Sequence, residues 1–565
     1  MGTPASVRDH PADPADPADP AGSAGTPATG RAGARTARAG AAAEGGRLRL
    51  LGGTWLWPGL LAFVLGLHGA GGPQLWEDEL NSWDMATRST GRLLETVQNV
   101  DAVLAAYYLI LHGWTGLFGD SDIALRLPSV LAMAGAAVCT ALIGARLAGP
   151  RAGRVAGLLF ALTPVVSRYA QEARPYALVV LAVALSTLLL LRALDRPDLR
   201  RRWCGYALAV SAVGLLHVVA LTALVGHVVV AVAKGRAIAV RLGLAVLAGV
   251  AATAPVLLLG RSQAGRQISW IPQPDLWGLA GFWPQLFGSA LTAGAVIALA
   301  ALAWARWPGR DAGGNAAGRA EASTGTGAGP AKRTGARVDV PGRGLLPAVT
   351  LSAVGPPLVL WTVSHGDVSY FYFRYLLFTL PAWAVLAGIG LRSVRPRAVV
   401  AVLLAVLALL TLPEQRSLRE PYAHFWHGVD YRGAAATIEK YHRPGDAVVY
   451  DRGDDYWRLL DAGVRHYLPD ELRPRDVFLA RSAADRADLW ATECPDPARC
   501  LRGEPRIWLV VPADDADPLQ ALPPAQARAL RARYTATGTE RLTGVTVALL
   551  VRKDGRAGTV RSGRR

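Results

Sequence analysis

Pro175-Tyr-Ala-Leu-Val-Val-Leu-Ala-Val-Ala-Leu-Ser-Thr-Leu-Leu-Leu-Leu-Arg-Ala-Leu194 is a run of 20 residues in which Arg192 alone is charged. As a helix it would rise about 30 Å, the thickness of a bilayer's hydrocarbon core. A segment of that kind has to satisfy its backbone internally, so it reads as a membrane-spanning helix. Comparable apolar runs lie at about 56–69, 124–147, 154–168, 204–216, 218–233, 241–259, 286–305, 345–363, 374–392 and 397–413. The expectation is a polytopic α-helical membrane protein of about eleven spans. The pair at 204–233 could also be read as one long helix, which would invert everything after it.

Composition agrees. Of 565 residues 52% are hydrophobic and only 18% charged, against about 25% charged in an ordinary soluble domain. A plain cytosolic enzyme and a largely disordered chain are both excluded. The net charge is +17, and 56 of the 60 basic residues are arginine. Nucleic acid is not the inferred partner, because those residues sit between apolar runs and form no single basic patch.

Residues 1–50 carry a near-repeat, Pro11-Ala-Asp-Pro-Ala-Asp-Pro-Ala-Asp-Pro20, and no apolar period, so they read as a disordered cytoplasmic tail. The first apolar run has no small-residue cleavage site after it and reads as an anchor within a transmembrane region at 51–413. The positive-inside rule then sets the orientation. Arg47 and Arg49, the Arg146–Arg154 and Arg192–Arg202 clusters, Lys234–Arg241, Arg306–Arg343 and Arg392–Arg397 fall inside. Loops 73–123, 169–174, 260–285 and 364–373, and everything after 414, fall outside, provided 204–233 crosses twice. The Gly/Ala/Thr/Arg-rich stretch 308–343 reads as a flexible cytoplasmic linker.

After Pro413 the composition becomes that of a soluble domain. Tyr431–Tyr441 and Ala525–Thr537 read as helices, and Ala447–Asp451, Arg506–Val511 and Val545–Val551 as buried strands. This is an extracytoplasmic α/β domain at 414–555, followed by a disordered tail at 556–565. Cys494 and Cys500 lie in it, and an oxidising compartment would favour a disulfide between them. Zinc lacks its ligand spacing. Cys139 and Cys204 read as packing residues.

Chemistry concentrates on the outer face. No predicted span contains Asp or Glu, which counts against an ion-coupled transporter. The first external loop, by contrast, reads Leu75-Trp-Glu-Asp-Glu-Leu-Asn-Ser-Trp83, followed by Asp101 and Tyr107-Tyr108. Adjacent carboxylates repel one another, and one with a raised pKa could act as a base. They could equally be a solvated helix start. Arg126, Arg168, Arg174 and Arg374 each sit where an apolar run meets the outer face. There an arginine can hold a phosphate by paired hydrogen bonds or simply snorkel to lipid headgroups.

These residues resemble a known family. Asp78-Glu79, the segment Tyr107–Gly119, Leu125-Arg-Leu-Pro-Ser129, Gln171-Glu-Ala-Arg-Pro-Tyr176 and Arg374-Tyr-Leu-Leu377 look like the membrane-embedded GT-C glycosyltransferases. The branch in question is that of protein O-mannosyltransferases and aminoarabinose transferases, and the likeness runs over about 55–395. It implies a polyprenyl-phosphate sugar donor, reaction on the non-cytoplasmic face and a catalytic acid in the first external loop. Asp78 matches that acid and Glu79 its neighbour. The family's His-Pro-Pro-Leu is replaced here by Asp101-Ala-Val-Leu104.

The expectation is therefore a glycosyltransferase moving a mannose-like or pentose sugar to an acceptor hydroxyl. Asp78 would be the base, with Glu79 and Asp101 as weaker candidates and Glu77 dispensable. Arg126, Arg168, Arg174 and Arg374 would bind the donor phosphate, and Tyr107, Tyr108, Gln171 and Tyr176 would line the substrate path. A divalent cation could bridge carboxylate and phosphate, though no ligand spacing demands one. The expected partners are the lipid donor and a glycan, lipid or protein acceptor. The competing classes are a lipid or polysaccharide flippase and a non-catalytic envelope-binding scaffold.

Overall fold

The computed structural model describes residues 53–306, 345–392, 394–424, 428–453, 456–513 and 516–553. The two expected tails and the 308–343 linker lie outside the described residues.

The apolar part is helical throughout, in more pieces than the hydropathy suggests. Four helices are long and apolar enough to cross a membrane: Asp122–Ala148, Tyr176–Asp195, Leu345–Val363 and the composite Phe373–Leu391. Counting each of two bent pairs as one span brings the number of that length to six among the described residues, beside shorter apolar helices at Gly53–Leu67, Ala102–Phe118, Val218–Ala233 and Arg397–Leu410. The remaining apolar runs are helical but short or broken, for local reasons. Pro164 has no N–H and forces Thr163 extended, so the expected span 154–168 divides into Pro150–Leu162 and Pro164–Ala170. His217 is extended between Arg200–Leu216 and the helical stretch Val218–Ala233, which separates the ambiguous pair. At Gly288, φ is +85°, a conformation that costs glycine little, and there Leu276–Phe287 turns by 96° into Ala290–Ala305. Leucines and valines such as Leu244, Leu247, Val402 and Leu409 stay exposed on the outside of the bundle, as lipid-facing positions do.

Residues 73–123 form no simple loop. They fold into helices Glu77–Thr87, Thr90–Asn99 and Ala105–Phe118, the last apolar and not anticipated. After Leu410 the chain builds the α/β domain. Its strands are β1 (Ala447–Tyr450), β2 (Arg475–Asp476), β3 (Leu479–Arg481), β4 (Thr492–Glu493), β5 (Arg506–Pro512), β6 (Tyr534–Leu542) and β7 (Val545–Arg552). Five of them form one sheet in the order β2-β1-β5-β7-β6, parallel on the β2 side and antiparallel beyond β5. The strands β3 and β4 pair separately. The expected helix 525–537 ends at Arg533, and Tyr534 onwards is strand β6. Its side chains are exposed from Thr535 to Arg541, so a polar edge strand was mistaken for a helix end.

The α/β domain sits on the first loop through polar contacts that fix their relative position. Tyr467 Oη accepts from the Leu75 amide at 2.8 Å and donates to Asp122 Oδ2 at 3.0 Å. His466 and Arg432 also pair with Asp122, while Gln74 reaches Asp430 at 3.0 Å and Arg465 reaches Asp84 at 2.5 Å. Loop and domain therefore occupy one side of the helix bundle.

Candidate functional site

Three consecutive acids open helix Glu77–Thr87, and a helix turns about 100° per residue, so Glu79 is carried away from the cavity that Glu77 and Asp78 line. None is a solvated helix start.

Glu79 is fully buried against Arg126, with contacts of 2.8 Å from Nε and 2.6 Å from Nη2. Its Oε1 also accepts the Ala173 amide at 2.7 Å. Arg126 gives its other three N–H groups to the carbonyls of Ala70, Pro73 and Gln74. Every donor is spent and no surface is exposed, which corrects the expectation that Arg126 binds phosphate and that Glu79 is an alternative base. The pair fastens the first loop to helix Asp122–Ala148.

Asp78 points instead into a cavity of about 690 Å³ between the bundle and the α/β domain. Its Oδ2 lies 2.9 Å from Arg374 Nη1 and 3.7 Å from Arg174 Nε. Arg374 comes from the 3₁₀ turn Phe373–Thr379, and Arg174 from the bend before Pro175. Burial alone would raise the Asp78 pKa, but Arg174 and Arg374 outweigh it and hold the carboxyl below its usual range. The Nε–H groups of both arginines are buried and make no hydrogen bond. Four aromatic rings, of Trp76, Tyr176, Trp270 and Tyr372, surround the Arg374 guanidinium at 5.0–5.7 Å.

Glu77, expected to be dispensable, faces the same cavity. Burial pushes its pKa up to about 7, against its own backbone hydrogen bond, with Asp78 adding to the rise and Arg458 opposing it. Its Oε1 is buried without a hydrogen bond.

Asp101 and Tyr176 also line this cavity. Asp101 is left-handed, at φ +58°, and accepts from Tyr108 Oη at 2.7 Å; such backbone strain is commonest at functional sites. Arg168, Gln171, Tyr107 and Tyr108 lie outside the lining of this cavity. Arg168 opens into a neighbouring cavity of about 520 Å³ beyond Trp76 and Arg374, and its Nη1 pairs with Glu172 at 2.5 Å. Gln171 is buried and spends its amide on the carbonyls of Gly66 and His68. Tyr107 and Tyr108 are buried in packing and do not line the cavity.

The sequence reading missed His217, placed in the wall by the helix break, and Trp76 and Trp270, which pair with Arg374. It also missed Tyr456, Trp457 and Trp490, through which the α/β domain contributes to the cavity. Trp76, two positions before Asp78, was the one with a usable signal; nothing local marks the others. Cys494 and Cys500 are joined in a disulfide beside β4. Among the described residues no group of three or more His, Cys, Asp or Glu could hold a metal ion, and the carboxylate of Asp78 faces guanidinium groups on two sides. The site's own charge partners are thus cationic side chains.

Comparison with known proteins places this architecture. No curated protein matches the chain. The sequence model for dolichyl-phosphate-mannose-protein mannosyltransferase matches residues 103–259. The crystal structure of ArnT from Cupriavidus metallidurans bound to undecaprenyl phosphate superposes at a TM-score of 0.56 and 14% identity, over 88% of this chain and 98% of that one. The apo form of the same protein gives 0.53 at 15% identity, over 90% and 98%. The oligosaccharyltransferase of Archaeoglobus fulgidus with zinc and sulfate aligns at 0.41 and 11% identity, over 88% and 72%. The chain shares the fold of ArnT from Cupriavidus metallidurans, and its residues 103–259 are similar to the dolichyl-phosphate-mannose-protein mannosyltransferase family.

Proposed function

We propose that the protein transfers a sugar from a polyprenyl-phosphate donor to an acceptor hydroxyl on the extracytoplasmic face of the membrane. One observation carries the reading: an ionised Asp78 shares a cavity with two arginines whose Nε–H groups are unspent. A phosphodiester accepts such donors, and guanidinium groups hold phosphate in paired geometry. The apolar bundle beside the cavity gives a polyprenyl chain its solvent.

In the reaction the acceptor oxygen bonds to the anomeric carbon as the bond from that carbon to the phosphate oxygen breaks. The acceptor proton passes to Asp78, and Arg174 and Arg374 take up the charge on the departing phosphate. Electrostatics arranged in advance in this way is commonly the largest catalytic term. A low-pKa carboxylate suffices as base when the acceptor proton leaves late, after the sugar has acquired cationic character. The sugar and the acceptor are mannose-like or pentose and a hydroxyl of a glycan, lipid or protein, respectively.

The test is transfer in liposomes carrying the purified protein and a radiolabelled polyprenyl-phosphate sugar. Label joined covalently to an acceptor supports the reading. Label that crosses the bilayer unchanged identifies a flippase, and label that neither moves nor reacts identifies a binding scaffold.

A further inference from the structure

A second cavity, of about 600 Å³, lies between the α/β domain and helix Glu77–Thr87 and has no part in the transfer chemistry above. It shares Asn81, Tyr456, Leu489 and Trp490 with the Asp78 cavity, and these four residues separate the two. In its wall Arg452 stands among three carboxylates. It approaches Asp461 at 2.9 Å, Asp476 at 2.5 Å and Glu493 at 3.6 Å. The arginine side chain is nine-tenths buried, and its Nη1, which faces Glu493 Oε1 at 3.6 Å, donates no hydrogen bond. Asp476 Oδ1 and Glu493 Oε1 are buried beside it and accept none.

Buried polar groups in native proteins nearly always have partners. Asp476 Oδ1 has no hydrogen bond, and Arg452 Nη1 and Glu493 Oε1 face each other just beyond hydrogen-bond reach, so this wall calls for a ligand that both gives and takes hydrogen bonds. A hydroxyl does both at one atom. The lining holds three arginines (Arg452, Arg465, Arg473) against four carboxylates (Asp84, Asp461, Asp476, Glu493), a near balance that favours neither a strongly anionic nor a strongly cationic guest. At the wall between the cavities Tyr456 meets Trp490 edge-on, with centroids 4.8 Å apart, and offers an apolar surface to C–H groups. Vicinal hydroxyls on a ring with apolar faces describe a sugar.

We propose that this cavity binds a neutral sugar residue of a glycan acceptor and holds it beside the transfer site, an inference that rests on the transferase reading above. Removing Arg452 would leave three buried carboxylates uncompensated, so the informative variants are Asp476→Asn and Glu493→Gln, which keep side-chain volume.

The experiment measures binding to the full-length protein in nanodiscs, without donor. The probes are neutral manno-, gluco- and arabino-oligosaccharides, their fully O-methylated forms, a Ser/Thr-rich peptide and, separately, polyprenyl phosphate. At least one oligosaccharide should bind, its O-methylated form should not, and each variant should weaken binding by about 10- to 100-fold. The proposal is overturned if no oligosaccharide binds, if both variants bind it undiminished, or if only the peptide binds in a manner sensitive to them. Loss of polyprenyl-phosphate binding alone, with oligosaccharide binding intact, would instead overturn the transferase reading and leave the sugar site standing.

Discussion

Asp78 Oδ2 lies 2.9 Å from Arg374 Nη1, although 296 positions of sequence separate the two residues. The contact joins the first loop to the turn that opens the Phe373–Leu391 helical segment, and it brings a carboxylate to the place where a phosphate would be held. Replacing Asp78 by Asn removes the base and keeps the volume. Transfer should fall by about 10²- to 10⁴-fold. Polyprenyl-phosphate affinity should not weaken, because the substitution takes a negative charge away from both arginines. Turnover and lipid affinity measured on matched membranes check both halves.

Arg374→Ala should show the opposite pattern. Arg374 contributes a charged donor and stands among four rings, so its loss should weaken donor binding by about 10- to 100-fold. Arg374→Lys should recover little, since an ammonium replaces neither the planar fork nor the stacking. Titration with polyprenyl phosphate reads the effect directly.

Glu77 should set the pH dependence. Asp78 is held ionised and contributes no titration near neutrality, whereas Glu77 titrates at about 7. Above that pH its negative charge makes the neighbouring Asp78 more basic, so the transfer rate should rise severalfold through pH 7. Stability moves the other way. Between pH 4.5 and about 7 the native state holds a proton that the unfolded chain has lost, so stability declines as pH rises through that window. Glu77→Gln should flatten both profiles, as a pH–rate series and thermal melts at several pH values would reveal.

Arg126→Ala should fail by a different route. It strands the buried Glu79 carboxylate without its partner, a change that costs about 3–5 kcal/mol. The expected result is loss of folded protein from membranes, whatever the donor concentration. A well-folded variant with weak lipid binding would return Arg126 to the phosphate site.

Sidedness is tested by reporters. A fusion after residue 414 should be active only outside the cytoplasm and an insertion near residue 325 only inside, given the arginine distribution. Both reporters active on one side would detach the acidic loop from the assumed compartment.

The membrane class was legible in the sequence because 20 apolar residues in a row leave few alternatives. Asp78, Arg174 and Arg374, each at a junction between apolar and polar sequence, come together at one cavity. The roles of Arg126 and Arg168 were not legible. Both arginines occupy the same kind of junction, and only the direction of the side chain makes one a buried strut and the other the lining of a separate cavity. Glu77 was dismissed because its neighbours alone carried the family likeness, while its burial depends on the α/β domain settling over the loop. Tyr456, Trp457 and Trp490 depend on the same docking, which no local pattern encodes. The lost β6 strand has a similar cause: its pairing with β7, not its own polar residues, makes it a strand.

Two guanidinium groups face one carboxylate at Asp78, a local excess of one positive charge, while Glu77, Asp101 and Asp488 line the cavity farther round. The donor, a phosphodiester, would carry a single negative charge and cancel it. The spent lipid is a phosphate monoester and carries about −1.5 to −2 at neutral pH. Each turnover then converts a guest that balances this cluster into one that the two arginines attract more strongly. The enzyme would accordingly be limited by departure of the bare lipid phosphate and not by the bond-making step. Added polyprenyl phosphate would compete with donor, and sustained glycosylation would depend on whatever removes that product from the membrane around it.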